Sequence, residues 1–94
     1  MVQEFLTQEQ DQLFKDWLAQ HQHGFYLNER ERGNIVHGVG ATVLHKVGCY
    51  HLGTGEGVIS TTYAKVASDD REQLRAWALG RGVTVDACTS CKPD

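Results

Sequence analysis

The chain has 94 residues, of which 40% are hydrophobic, and its formal net charge is -3. That length predicts a single domain over residues 1–94, and the acidic balance argues against a strongly basic nucleic-acid-binding protein. The first residues lack the basic start and apolar run of a secretory signal, and no stretch approaches the roughly 20 apolar residues of a membrane helix, so we expect a soluble, cytoplasmic protein without a membrane partner.

The first predicted element is an amphipathic helix over residues 7–21. Thr7 suits the N-cap position, and Gln10 has the spacing of a capping box. Polar residues occupy most of this segment, whereas one face carries the apolar side chains that are expected to pack on the core, which are Leu13, Phe14, Trp17 and Leu18.

Three short strands are predicted after this helix. Apolar and β-branched residues indicate strands over residues 25–28 and 41–46, and a third strand in the second half of residues 58–67. Between the first two strands, the charged and then glycine-rich segment 29–40 predicts a loop, and GTGEG at residues 53–57 predicts a turn.

A second helix is predicted to begin at Ser68 and to end at Gly80 and Gly82, and an extended segment over residues 83–87 follows it. This order of elements predicts an α+β fold in which a small antiparallel sheet packs against two helices. Trp17 and Trp77, one in each helix, are expected to meet in one core. The side chains of the second helix that are expected to face that core are Leu74, Trp77 and Ala78.

Three cysteines and a histidine have the spacings that metal sites use. Cys88 and Cys91 are separated by two residues, which allows a tight turn to present two sulfurs to one ion. His45 and Cys49 lie where a predicted strand runs into a turn, so both side chains can reach one point. Because zinc prefers four such ligands at tetrahedral corners, the sequence predicts a closed, structural Zn²⁺ site that staples a small domain together.

Alternatives to this ligand set and to metal binding stay open. His51 can replace His45 as the fourth ligand, and His37 is a weaker candidate. Without a metal, the three cysteines are reduced thiols, or Cys88 and Cys91 form a redox pair. A zinc ion with one position left open for water would instead indicate a small zinc-dependent hydrolase.

The stretches LHKVGCYHL at residues 44–52 and CTSCKP at residues 88–93 resemble a small zinc module that is appended to bacterial nucleases. The pattern is similar to the metal-binding fold of Ada-like DNA repair proteins. With GFYLN and YAKVASDDREQLRAWA included, the chain resembles short prokaryotic domains that are fused to restriction-type endonucleases or stand alone. The resemblance implies that Cys49, Cys88 and Cys91 are ligands with His45 as the fourth. Ala67 stands where such domains often carry a further cysteine.

The resemblance also implies a recognition or accessory role in DNA restriction or repair, beside a nuclease domain or another protein partner, with no enzymatic activity of its own. The predicted DNA contacts are basic residues that can reach phosphates, although Glu29 and Glu31 offset the charge of two of them. The predicted DNA contacts are Arg30, Arg32, Lys46 and Lys65.

The alternative is a zinc-stapled protein-interaction module or inhibitor, for which an acidic chain is no handicap.

Overall fold

A mixed β-sheet forms the centre of the fold in the computed structural model, which describes residues 2–31, 33–47 and 64–89. Within these residues the strands lie in the order β1-β4-β2-β3-β5 across the sheet. The helices are α1 (Asp11–Gln20), α2 (Asn34–His37) and α3 (Arg71–Arg81), and a 3-10 turn (Gln8–Gln10) precedes α1. The strands are β1 (Gln3–Phe5), β2 (Phe25–Glu29), β3 (Ala41–Lys46), β4 (Lys65–Ser68) and β5 (Thr84–Ala87).

Helices lie on both faces of the sheet. Successive side chains of a strand point to opposite sides, so each face presents its own apolar residues for a helix to cover. On one face, Phe14 and Trp17 of α1 pack against strand residues that include Tyr26. On the other face, Leu74 and Ala78 of α3 pack into a second cluster, whose strand residues are Leu27, Leu44 and Val66. None of the described helices is long and apolar enough to cross a membrane.

The predicted α+β class is confirmed, but the sheet is mixed rather than antiparallel. β3 and β4 both pair antiparallel with β2, so they run in the same direction. The helix α3 carries the chain back along the sheet after β4, and β5 therefore pairs parallel with β3.

Three further expectations about the helices are wrong. The segment 29–40 contains the short helix α2, so the described residues hold three helices rather than two. Trp17 and Trp77 belong to separate clusters on opposite faces of the sheet, because α1 and α3 cover different faces. Ser68 ends β4 instead of starting α3; the carboxylate of Asp70 caps this helix by accepting a hydrogen bond from the Glu72 amide at 2.9 Å.

Candidate metal centre

His45 and Cys88 lie beside each other at the same end of two neighbouring strands. In the parallel pair of β3 and β5, Leu44 is opposite Ala87, and the amide of Cys88 donates a hydrogen bond to the carbonyl oxygen of Leu44 at 2.9 Å. Cys88 is therefore the next residue along this register, next to His45. The crossover through α3 brings together two residues that are far apart in sequence.

Both side chains are held in a largely buried position on the face of the sheet that α1 partly covers. Each residue is 8% exposed. The imidazole of His45 stacks on the ring of Tyr26, its partner on β2, with ring centroids 5.0 Å apart and planes inclined by 22°. A cavity of about 380 Å³ opens beside His45 and Cys88, and its remaining described lining residues are Asn28, Arg30, Val43, Ala87 and Thr89.

The chemistry of these two donors fits a zinc ion. An imidazole nitrogen and a thiolate sulfur are the ligand types that structural zinc sites combine, and adjacent strands present them to one cavity. Cys49, Cys91 and the alternative ligand His51 lie outside the described residues. Within residues 2–31, 33–47 and 64–89, no group of three or more His, Cys, Asp and Glu residues could hold a metal. The described part of the chain thus contributes half of the predicted ligand set.

His37 does not line this cavity. It is an exposed residue at the end of α2, and its ring lies close to Gly33. The position of α2 therefore gives no support to His37 as the fourth ligand. Because His45 lines the cavity together with Cys88, His45 is the better candidate among the described histidines.

The three predicted DNA contacts that the structure describes, Arg30, Lys46 and Lys65, do not form one exposed basic patch. Arg30 is half-exposed and forms an ion pair with Asp86, with its Nη2 atom 3.1 Å from Oδ2. Lys46 is exposed at the end of β3. Lys65, in contrast, is only 3% exposed, and its burial lowers the pKa of its ammonium group from 10.5 to about 8. Arg32 lies outside the described residues.

The sequence predicts Glu29 to be a solvated charge that offsets the neighbouring arginines, but the structure buries it. Its carboxylate accepts hydrogen bonds from the amides of Gly33, Ile35 and Ala64. Glu29 faces the α3 side of the sheet, whereas Asn28 faces the cavity, because adjacent residues of β2 point to opposite sides. The sequence analysis does not single out Asn28, and only the alternation along the strand could have placed it there.

In comparisons with known proteins, no family model, curated protein or solved structure matches this chain. The similarity to Ada-like zinc modules therefore stays a prediction from short motifs.

Proposed function

We propose that this chain is a zinc-stabilised recognition or accessory domain that binds nucleic acid. The observation that carries the metal half of the proposal is the pairing of His45 with Cys88 in one cavity across β3 and β5. The ion would be held by His45 and three thiolates. When bound, it supplies a cross-link between the end of β3 and the segment that follows β5. The three thiolates are those of Cys49, Cys88 and Cys91.

Covalent connectivity supports this ligand set. Cys91 follows Cys88 by three peptide units, and successive Cα atoms are about 3.8 Å apart, so the two Cα atoms lie within about 11 Å of each other. Cys49 follows His45 by four units, which limits their Cα separation to about 15 Å. The segments that link Cys91 to Cys88 and Cys49 to His45 are therefore short, which keeps both thiols within reach of the cavity.

A structural role suits the position of the proposed ion. Among the described residues, β5 lies at the edge of the sheet and pairs only with β3. A metal held by ligands from both strands would clamp this edge strand in place, which benefits a domain too small to gain much stability from its core alone. The test is the metal content of the purified chain, with thermal unfolding before and after chelation. One zinc per chain is expected. A purified chain that contains no metal, and whose unfolding temperature is the same with and without the chelator, would contradict the proposal.

The nucleic-acid half of the proposal is supported by the motif resemblance and by the basic groups of Arg30 and Lys46 at the surface. Since phosphate contacts release counterions, binding should weaken steeply between low and moderate salt. Titration of the zinc-loaded chain with single-stranded and duplex DNA at about 50 mM salt tests this half. Absence of binding to either form would contradict it and leave the metal half standing.

A protein-interaction module is the second candidate, and exposed apolar side chains favour it. Leu79 near the end of α3 is 82% exposed. The guanidinium of Arg81 donates hydrogen bonds to the carbonyl oxygens of Ile35 and Val36, at 2.9 and 3.2 Å, which ties the end of α3 to α2. The exposed Val36 and Leu79 are therefore carried by two elements that meet at the same end of the molecule. Binding to a protein partner that Leu79→Glu abolishes and that salt barely affects would favour this candidate.

A further inference from the structure

A groove opens at the edge of the sheet that is formed by β1, opposite the edge that carries β5. Among the described residues, β1 pairs only with β4, so the backbone groups on its outer side have no strand beside them. A cavity of about 520 Å³ lies between β1 and α1, and its described lining includes all of β1 but no residue of β4. The cavity is therefore on the outer side of β1. We call it the edge groove.

Apolar side chains form the base of the edge groove. Phe5 of β1 and Trp17 of α1 belong to the buried cluster on this face of the sheet, and both line the groove. Leu13, one turn earlier on α1, also lines it and is 57% exposed. The ring of His21 stacks on Trp17 with centroids 4.4 Å apart, and its Nδ1 atom lies 2.8 Å from Oδ1 of Asp69. The helix side of the groove is thus fixed in place before any partner binds.

The charged groups at this edge favour a basic partner. Asp16 lines the groove from α1, and its carboxylate accepts a hydrogen bond from the neutral amide of Gln12 at 2.9 Å. Glu4, on β1, is opposite Val66, so its exposed side chain points to the α3 side of the sheet. The described lining contains no lysine or arginine, and its histidine is already paired with a carboxylate. A strand added at this edge would meet a carboxylate on each face, which repels acidic segments and complements basic ones.

From these features we infer that the β1 edge binds an extended, basic peptide segment of a partner protein, which adds to the described sheet as a sixth strand. The backbone of the segment pairs with the outer side of β1, and its successive side chains point alternately to the two faces. On the α1 face, a lysine or arginine lays its aliphatic stem along Leu13 and brings its charge to Asp16, which is a neighbour of Leu13 on the helix surface. On the other face, a basic side chain lies beside Glu4. The inference goes beyond the proposed function, since the predicted metal ligands lie toward the opposite edge.

A basic hexapeptide provides the test. The full chain is titrated by NMR at about 50 mM salt, where surface charges are only partly screened. The probe is acetyl-Thr-Arg-Val-Thr-Arg-Val-amide, whose arginines fall on opposite sides of a strand. The indole signal of Trp17 should shift on binding, whereas that of Trp77, in the cluster on the opposite face of the sheet, should stay in place. The same peptide with glutamate in place of both arginines should bind at least about tenfold more weakly.

Variants of the chain test the two carboxylates. Asp16→Asn and Glu4→Gln should each weaken the basic peptide about threefold, because each removes one exposed ion pair, and the double variant should weaken it about tenfold. Both positions are exposed, so these variants should fold. Glu72→Gln makes the same kind of change at an exposed position on α3 and should leave binding unchanged.

A modified peptide tests strand addition itself. N-methyl groups on the four central residues prevent their amides from donating to a strand edge, so this peptide should bind at least about tenfold more weakly. Equal binding of the methylated and unmethylated peptides, or of free arginine amide and the hexapeptide, overturns the inference. No shift of the Trp17 signal at millimolar basic peptide, or equal binding of the basic and acidic peptides, also overturns it. These outcomes leave the proposed metal and nucleic-acid binding untouched.

Discussion

The carboxylate of Glu29 accepts a hydrogen bond from the backbone amide of Ile35 at 2.7 Å in the interior of the protein. The second carboxylate oxygen accepts from the amides of Ala64 at 2.9 Å and Gly33 at 3.3 Å. One side chain at the end of β2 therefore joins the first turn of α2 to the residue that precedes β4. A single carboxylate thus satisfies the buried amides of Ile35 and Ala64 and the part-buried amide of Gly33.

Glu29→Gln should lower the free energy of unfolding by about 2 kcal/mol. The amide has nearly the same volume, but its NH₂ group turns a donor toward backbone amides that also donate, and it removes the negative charge. Urea unfolding of the variant measures the loss. Glu31→Gln, at an exposed position two residues away, makes the same chemical change and should stay within about 0.5 kcal/mol of the wild type. Equal losses in the two variants would show that Glu29 does not hold these elements.

Local patterns in the sequence predict most of the individual elements. The run of β-branched and apolar residues places β3 at Ala41–Lys46, as found, and VTVDA coincides with β5 at Thr84–Ala87. The three-residue β1 is too short to leave a periodic signal. The helix α2 is stabilised by Glu29, a contact made through tertiary structure, so the charged and glycine-rich sequence of segment 29–40 gives no sign of it.

Long-range arrangement is harder to predict than the elements themselves. The separation of Trp17 from Trp77 depends on which face of the sheet each helix covers, and helix amphipathicity does not specify that choice. The structure places His45 beside Cys88, two of the four residues that the sequence predicts as zinc ligands, and the spacing of residues along the chain does not specify this pairing across two strands. Asn28 and Lys65 lie on ordinary strands, and only the folded structure gives them their surroundings.

Two glycines should respond in opposite ways to substitution by alanine. A Cβ atom at Gly24 would lie 2.7 Å from the Cη2 atom of Trp17 and 3.1 Å from the carbonyl oxygen of His21, so Gly24→Ala must displace a buried ring. A loss of about 2 kcal/mol is expected. Gly80 lies inside α3 with nothing within 4 Å of such an atom, so Gly80→Ala should raise stability by about 1 kcal/mol through helix propensity. Thermal unfolding of both variants checks the signs; stabilisation by Gly24→Ala would contradict the packing of Trp17.

The buried ammonium group of Lys65 should make stability rise with pH in the alkaline range. Burial lowers its pKa to about 8 in the folded chain, against 10.5 as the ordinary value, while Glu29 and Asp11 oppose the shift. Between these two pKa values the unfolded chain binds more protons than the folded chain, so the free energy of unfolding increases with pH. The shift of 10.5 − 8 = 2.5 pKa units corresponds to at most about 3 kcal/mol.

Urea unfolding from pH 8 to pH 10.5 measures this dependence in the wild type and in Lys65→Met. The variant cannot lose a proton at this position, so its stability should rise less across the range. Lys15→Met provides the control, since Lys15 is an exposed lysine on α1 and should leave the slope unchanged. If Lys65→Met has the same slope as the wild type, Lys65 is not the group responsible.

Removal of zinc should destabilise the chain strongly, because the proposed ion joins β3 to the segment after β5. Chelation is expected to lower the Tm by about 10 °C or more, given that 1 kcal/mol shifts the Tm of a domain this small by about 4–8 °C. Cys91→Ser should lower the Tm to a similar extent, and the chelator should then have little further effect. His37→Ala changes an exposed histidine outside the cavity and should retain both the metal and the Tm.

A Cys91→Ser variant that keeps one zinc per chain and unfolds like the wild type would remove Cys91 from the ligand set. A chain that binds zinc tightly yet unfolds at the same temperature after chelation would instead show that the ion is not structural.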